Sequence, residues 1–225
     1  MSELYMVATP IGNLGDITLR ALETLKAVEV IACEDTRHTL QLLNRFSISK
    51  KLISCRSQNE AAAAQTVCRY LEKGQAVAYC SDAGTPGISD PGMRLARIVR
   101  ENGFRVVPIP GVSAVTALVS VAGTEGKGFR FEGFLSPKEG RRKRRLEELM
   151  DSDVPFILYE SPFRLVKLLQ NITDIDSERF VTVGRELTKC HEEIAEGSAA
   201  TVLQMFQNRD AVKGESVILI NGKKD

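Results

Sequence analysis

Along most of the chain, short apolar, β-branched runs alternate with segments of helical periodicity, and that alternation confines the fold to α/β architecture with parallel strands. The run at 4–8 is followed by a helical segment opened by Asp16, with Ile17, Ala21, Leu22 and Leu25 on one side, and then by a second run at 28–33. This is a βαβ beginning. A helix at 36–46, a strand at 51–54, an Ala-rich helix at 59–72 closed by Gly74, and a strand at 75–80 continue the order. Pro91 opens a helix over 93–101, Gly103 ends it, and 105–109 is a further strand. After a small-residue helix ending at Ala122, three glycines within residues 123–128 predict a connector, so the expected domains are 1–122 and 123–225. Strands are then expected at 129–133, 156–159, 179–183, 192–196 and 216–221, with helices from Glu139, over 163–169 and over 199–206. The fold class is therefore two α/β domains. Completion of a single larger sheet by the second half is the alternative.

Composition narrows the function. With 225 residues, 43% hydrophobic and 26% charged, the chain has the balance of a soluble globular protein. No apolar run approaches the roughly 20 residues of a membrane span, and Met1-Ser2-Glu3-Leu4 carries no basic or long apolar leader, so a cytoplasmic protein is expected. Five cysteines without a C-x-x-C pair, and two distant histidines, predict no metal. A net charge of +1 argues against coating nucleic acid with the whole surface. One stretch stands apart: residues 138–145 hold six basic residues in eight positions. Such a run is either a solvated helix face or a contact for an anionic polymer.

Ser81 to Gly92, dense in Gly, Pro and Asp, directly follows the strand at 75–80. A loop of this kind at the carboxyl end of a parallel strand is where an open α/β sheet places its ligand. Its glycines allow close backbone approach, and Asp82 and Asp90 offer carboxylates to a cation or a ribose hydroxyl. Neither G-x-G-x-x-G nor G-x-x-x-x-G-K-[ST] occurs, so the signatures of pyrophosphate binding and of P-loop phosphoryl transfer are missing. No G-x-S-x-G is present either. What remains is a ligand held by backbone and small residues from several loops: Pro10, the loop at Asp82, and Gly111-Val112-Ser113-Ala114. That suits a bulky nucleoside without a phosphate.

Six blocks carry a specific resemblance: Ala8-Thr9-Pro10-Ile11-Gly12-Asn13-Leu14, Cys33-Glu34-Asp35-Thr36-Arg37, Ser81 to Gly92, Pro110 to Ala114, Leu158-Tyr159-Glu160-Ser161-Pro162, and Gly184-Arg185-Glu186-Leu187-Thr188-Lys189. Together they resemble the tetrapyrrole methylase superfamily, and within it the ribosomal RNA small-subunit methyltransferase I family. The resemblance implies two α/β domains with S-adenosylmethionine in a cleft between them, usually as a homodimer. It implies methylation of the ribose 2′-hydroxyl of a cytidine in 16S RNA of the small ribosomal subunit. By the family pattern, Pro10, Asp82, Gly84, Thr85, Ser113, Ala114, Tyr159, Glu160 and Leu187 are expected to bind the cofactor.

The chain departs from that pattern at Cys55-Arg56, where relatives often carry an aromatic residue and a histidine, and it stops at Asp225, where many continue. Without that histidine, Glu60 and Asp35 are the expected proton acceptors. Arg37, Asn59 and Arg185 are expected on the RNA side, with Arg141, Arg142, Arg144 and Arg145 of the basic run, since guanidinium groups suit phosphate. An ion pair with a neighbouring arginine is the competing role for each carboxylate. Methylation of a corrin-ring precursor and a non-catalytic role in ribosome assembly are the alternatives.

Overall fold

The computed structural model describes residues 2–124 and 128–223. It is α/β throughout and divides into two compact units, Met1–Ser113 and Ala114–Asp225. The division falls ahead of the glycine-rich segment picked out in the sequence, because α5 (Ala114–Val119) packs on β10 (Ser216–Ile220) of the second unit. Residues 125–127 of that segment lie outside the described residues.

The first unit is a parallel sheet in the order β3-β2-β4-β1-β5, built from β1 (Glu3–Val7), β2 (Val30–Cys33), β3 (Lys51–Ser54), β4 (Val77–Cys80) and β5 (Arg105–Ile109). Strands β2 and β4 are buried at every position, as expected of a sheet covered on both faces. The pleat divides β4 cleanly. Val77 and Tyr79 face α3 (Glu60–Glu72) and α4 (Met93–Glu101), while Ala78 and Cys80 face α1 (Leu19–Ala27) and α2 (Thr36–Arg45).

Local chemistry sets the ends. Helix α1 starts at Leu19, three residues after the expected Asp16, because Thr18 caps it: its side chain accepts from the Ala21 N–H at 3.1 Å. Asp16 belongs to a short turn instead, closed by the Asn13 side chain accepting from the Gly15 N–H at 2.9 Å.

The second unit holds a mixed sheet, β6-β7-β10-β8-β9, with β6 (Arg130–Phe134), β7 (Phe156–Glu160), β8 (Phe180–Arg185) and β9 (Glu193–Ser198). Helices α6 (Glu139–Met150), α7 (Pro162–Ile175) and α8 (Ala199–Gln207) contribute Leu146, Leu149, Leu168, Ile172, Val202 and Phe206 to one core on this sheet. Helix α7 runs six residues past its expected end because Leu165, Leu168, Leu169 and Ile172 extend one buried stripe.

Candidate functional site

In the first unit the loops that leave β1, β4 and β5 are stitched together. Thr9 and Gly84 exchange both backbone hydrogen bonds at 2.9 Å, and the Thr85 hydroxyl donates to the Val112 carbonyl at 3.1 Å. Two glycines make this closeness possible. Gly84 sits at φ +76°, and a Cβ on Gly111 would lie 2.9 Å from that of Ala8. Pro10, Gly84 and Thr85, all expected at the cofactor, are thereby brought together at the carboxyl edge of the sheet, and Ser113 ends the unit.

Next to this floor lies an open, polar cavity of about 330 Å³ at the carboxyl ends of β2, β3 and β4. Glu34 and Asp35 enter it from the end of β2, Arg37 from α2, Arg56, Ser57 and Gln58 from the β3–α3 loop, and Asp82 from the loop after β4. One hydrogen bond latches its wall: the Asp35 N–H donates to Asp82 Oδ1 at 2.9 Å. The Arg56 side chain is anchored by donating Nε–H to the Glu34 carbonyl at 3.1 Å. Asn59 braces the same loop, its Oδ1 accepting from the Arg56 N–H at 2.7 Å and its Nδ2 donating to the Ser54 carbonyl at 3.3 Å.

The carboxylates are in different electrostatic states. Asp35 caps α2 by accepting from the Arg37 N–H at 2.8 Å and grips the Arg37 guanidinium at two points, 3.2 and 2.7 Å. These hydrogen bonds hold its carboxyl well below the usual carboxylate range. Arg37 itself is 85% exposed. Glu34 goes the other way: burial pushes its carboxyl up, the neighbouring Asp82 charge adds to this, and the Asp82 N–H and Arg56 oppose it. Glu34 carries a signal that sequence reasoning passed over. It opens a polar block directly after an apolar strand, the position from which Asp35, its neighbour, was selected.

Glu60, expected as a proton acceptor, does other work. It is only 8% exposed, and its Oε1 accepts the backbone N–H groups of Gly92 and Leu95, each at 2.9 Å. It therefore caps α4 and fastens the end of the loop at 81–92. Cys55, at the departure from the family pattern, is fully buried, and burial pushes its thiol up to about 12.

In the second unit β7 and β8 both run antiparallel to β10, so Tyr159, Glu160 and Leu187 lie at one end of the sheet. Ala114 opens α5. Glu160 is spent within its own unit, accepting from the Ser161 N–H at 2.8 Å and from Arg164 Nε at 2.8 Å. Leu187 is buried and flanked by Glu186 at φ +51° and Thr188 at φ +67°, a costly backbone for residues other than glycine. The turn is held by Glu186, whose Oε1 accepts from Lys189 Nζ at 2.8 Å and from the Glu215 N–H at 2.9 Å. Among the described residues no group pairs with the buried hydroxyls of Thr188 and Ser216 at this same end. The Thr188 hydroxyl, next to Leu187 in the chain, is a polar group that a ligand there could satisfy.

Several expected RNA contacts are committed elsewhere. Arg142 is 2% exposed and donates Nε–H to Asn171 Oδ1 at 3.0 Å, so it belongs to the interior and not to a binding face. Arg145 pairs with Glu132 and Glu148 at 2.8 Å, and Arg144 lies 3.6 Å from Glu148. Arg141 stands exposed on α6. The basic run is thus largely balanced by acids that the eight-residue window does not contain. Arg185 is likewise occupied, by Glu193 at 2.8 Å and by the carbonyls of Lys213 at 2.9 Å and His191 at 3.3 Å. No cluster of His, Cys, Asp or Glu suited to a metal occurs among the described residues.

The family model for "Tetrapyrrole (Corrin/Porphyrin) Methylases" matches residues 3–203. A ribosomal RNA small subunit methyltransferase I from Borrelia garinii subsp. bavariensis is 45% identical over 97% of this chain and 98% of its own length. Proteins of the same name from Neisseria meningitidis serogroup B and Synechocystis sp. are 43% and 45% identical over 99% of this chain, covering 77% and 80% of their own lengths. Among solved structures, a cobalt precorrin-4 methyltransferase superposes with a TM-score of 0.72 at 17% identity, over 97% of this chain and 94% of that one. The methyltransferase CobJ gives 0.73 at 16%, over 98% and 94%. At such identities these two speak for the fold alone. The matching family model and the near full-length relatives show that the chain belongs to the tetrapyrrole (corrin/porphyrin) methylase family and, within it, to the ribosomal RNA small subunit methyltransferase I family.

Proposed function

We propose that the protein transfers a methyl group from S-adenosylmethionine to the ribose 2′-hydroxyl of a cytidine in 16S ribosomal RNA. The observation that carries this reading is the cavity at the ends of β2, β3 and β4, where two guanidinium groups and three carboxylates line about 330 Å³. That volume is at the low end of the roughly 300–1,000 Å³ of small-molecule sites and suits one sugar with its phosphates better than a tetrapyrrole ring. Arg37 and Arg56 are the phosphate ligands, since a planar fork of donors matches a phosphate edge. The relatives, ribosomal RNA small subunit methyltransferases, support an RNA substrate.

When bound, S-adenosylmethionine supplies a methyl group already activated on a sulfonium. Pro10, Gly84, Thr85 and Ser113, at the carboxyl edge of the first unit's sheet, are the residues assigned to hold it. In the second unit, taken by itself, the family pattern points to Ala114, Tyr159 and Leu187. The orphaned hydroxyl of Thr188, next to Leu187 in the chain, supports a polar ligand at that end. Asp82 and Asn59 keep the cavity wall in shape. Asp35 and Glu60 are assigned to positioning, the first orienting Arg37 and the second fixing α4. Glu160 is assigned to capping α7. We place the active form in the cytoplasm as a homodimer, which sedimentation at micromolar concentration tests.

The test is transfer of a labelled methyl group to small ribosomal subunits, run beside a corrin precursor as acceptor. Label on the ribosomal RNA supports the reading. Label on the corrin precursor alone overturns it, and tight binding to the subunit with no transfer favours an assembly factor.

A further inference from the structure

Three carboxylates line the cavity, and two of them are committed. Asp35 caps α2 and pairs with Arg37 at two points, while Asp82 gives Oδ1 to the Asp35 N–H. Glu34 differs. Among the described residues no lysine or arginine forms an ion pair with it, and it lines the cavity beside Arg56, whose Nε–H is anchored on the Glu34 carbonyl at 3.1 Å. Its carboxylate keeps acceptor capacity for a further hydroxyl.

The charged and titratable groups around Glu34 come from each neighbouring segment: Asp35 ahead of α2, Cys55 and Arg56 after β3, Tyr79 within β4, and Asp82 after it. Burial raises the Cys55 thiol to about 12 and raises the Tyr79 phenol too, so both stay neutral at working pH. Asp35 stays ionised to low pH because Arg37 holds it so. Glu34 goes the other way, its carboxyl raised above the ordinary value by burial first and by the Asp82 charge next.

We infer that Glu34 is the general base of the transfer, taking the proton of the target ribose 2′-hydroxyl while Arg37 and Arg56 hold the adjoining phosphates. This rests on the reading that the cavity receives a ribose. In the step, the 2′-O–H bond breaks and its proton passes to the Glu34 carboxylate. The oxygen electron pair forms the new O–C bond to the methyl carbon. The carbon–sulfur bond of the sulfonium donor breaks with its pair left on sulfur, giving a neutral thioether. Asp82 is then a positioning residue, acting through the Oδ1 it offers to the Asp35 N–H next to Glu34.

The experiment uses the full-length protein with small ribosomal subunits, comparing wild type with Glu34→Gln and Glu34→Asp. Glu34→Gln should lower the single-turnover rate by about 10²- to 10⁴-fold, the span of general base catalysis. Affinities for RNA and for S-adenosylhomocysteine should stay within about threefold of wild type. The wild-type rate should rise with pH and level off through one ionisation that Glu34→Gln lacks and Glu34→Asp keeps at a lower plateau. A readout independent of turnover comes from carbon-13 labelling of glutamate carboxyls: one should titrate above the exposed glutamates and vanish in Glu34→Gln. A Glu34→Gln rate within threefold of wild type overturns the inference, as does a slow variant that keeps the wild-type pH profile. If Glu34→Gln fails to fold, a Glu34→Asp profile lacking the ionisation overturns it instead. Wild type that transfers no methyl to the subunit overturns the functional reading and this inference together, whereas an active wild type with an unimpaired Glu34→Gln overturns the inference alone.

Discussion

Removing the Glu60 carboxylate should cost stability and spare chemistry. Its Oε1 accepts two backbone N–H groups, of Gly92 and Leu95, at 2.9 Å each, in a residue only 8% exposed. Hydrogen bonds to a charged acceptor contribute about 1.5–3 kcal/mol each, and a buried donor left unpaired costs about 1–3 kcal/mol. The carboxylate also faces the amino end of α4, worth about another 0.3–1 kcal/mol. Glu60→Ala loses both bonds at once, and the water that enters recovers part of them, so the net cost is about 3–5 kcal/mol. Glu60→Gln keeps an oxygen acceptor without the charge and should cost about 1–2 kcal/mol. In urea, both variants should show a lower midpoint at an unchanged slope. At about 2–4 °C per kcal/mol for a chain of this size, Glu60→Ala should melt at least about 6 °C below wild type. Single-turnover methyl transfer by Glu60→Gln at saturating RNA should stay within about threefold of wild type. Wild-type stability combined with a hundredfold slower transfer would refute the reasoning and return Glu60 to the role of base.

Arg142→Ala should destabilise by about 1–3 kcal/mol through the unpaired Asn171 Oδ1, and leave the salt dependence of RNA binding unchanged, as denaturation and filter binding will report. Glu193 is held down to about 2 by Arg209 first and Arg185 second, against an ordinary 4.5. A depressed carboxylate stabilises above its unfolded value, and that stability is lost as pH falls from 4.5 toward 2. Glu193→Gln should flatten the stability profile in that window, by at most about 3 kcal/mol, in denaturant titrations at pH 2–7. Gly92 sits at φ +131°, and an added Cβ would lie 2.9 Å from the Tyr79 ring and 3.0 Å from Met6, so Gly92→Ala should lower the melting temperature, with an unchanged value counting against the loop packing. Asp82→Ala should free the Asp35 N–H and loosen the β2–α2 loop, weakening RNA binding more than S-adenosylhomocysteine binding in paired calorimetry.

Strands and helices were legible in the sequence because their punctuation is local. Gly74, Pro91 and Gly103 end or begin elements where they stand, and the buried runs of β2 and β4 need no distant information. The misplaced start of α1 reflects two competing caps, Asp16 and Thr18, two residues apart. Roles that depend on partners far along the chain were not legible. Glu60 meets Gly92 over 32 positions, Arg142 meets Asn171 over 29, and Arg185 meets the carbonyl of Lys213 over 28. Glu34 was hidden for the same reason, its environment being set by Arg56 and Asp82 from two other loops. The basic run misled because charge was counted along the chain, whereas Glu132 and Asp174 neutralise it from neighbouring elements.

The central claim is that a ribose of the small-subunit RNA enters the cavity at Glu34, Arg37 and Arg56. It is tested most directly by alkaline hydrolysis of 16S RNA methylated by the pure protein with a labelled donor. A methylated 2′-oxygen cannot attack its own phosphate, so the account predicts that the label survives in one alkali-resistant dinucleotide beginning with cytidine. Arg37→Ala and Arg56→Ala should each remove that product while S-adenosylhomocysteine still binds. Label recovered on a base, or spread over mononucleotides, would contradict the account.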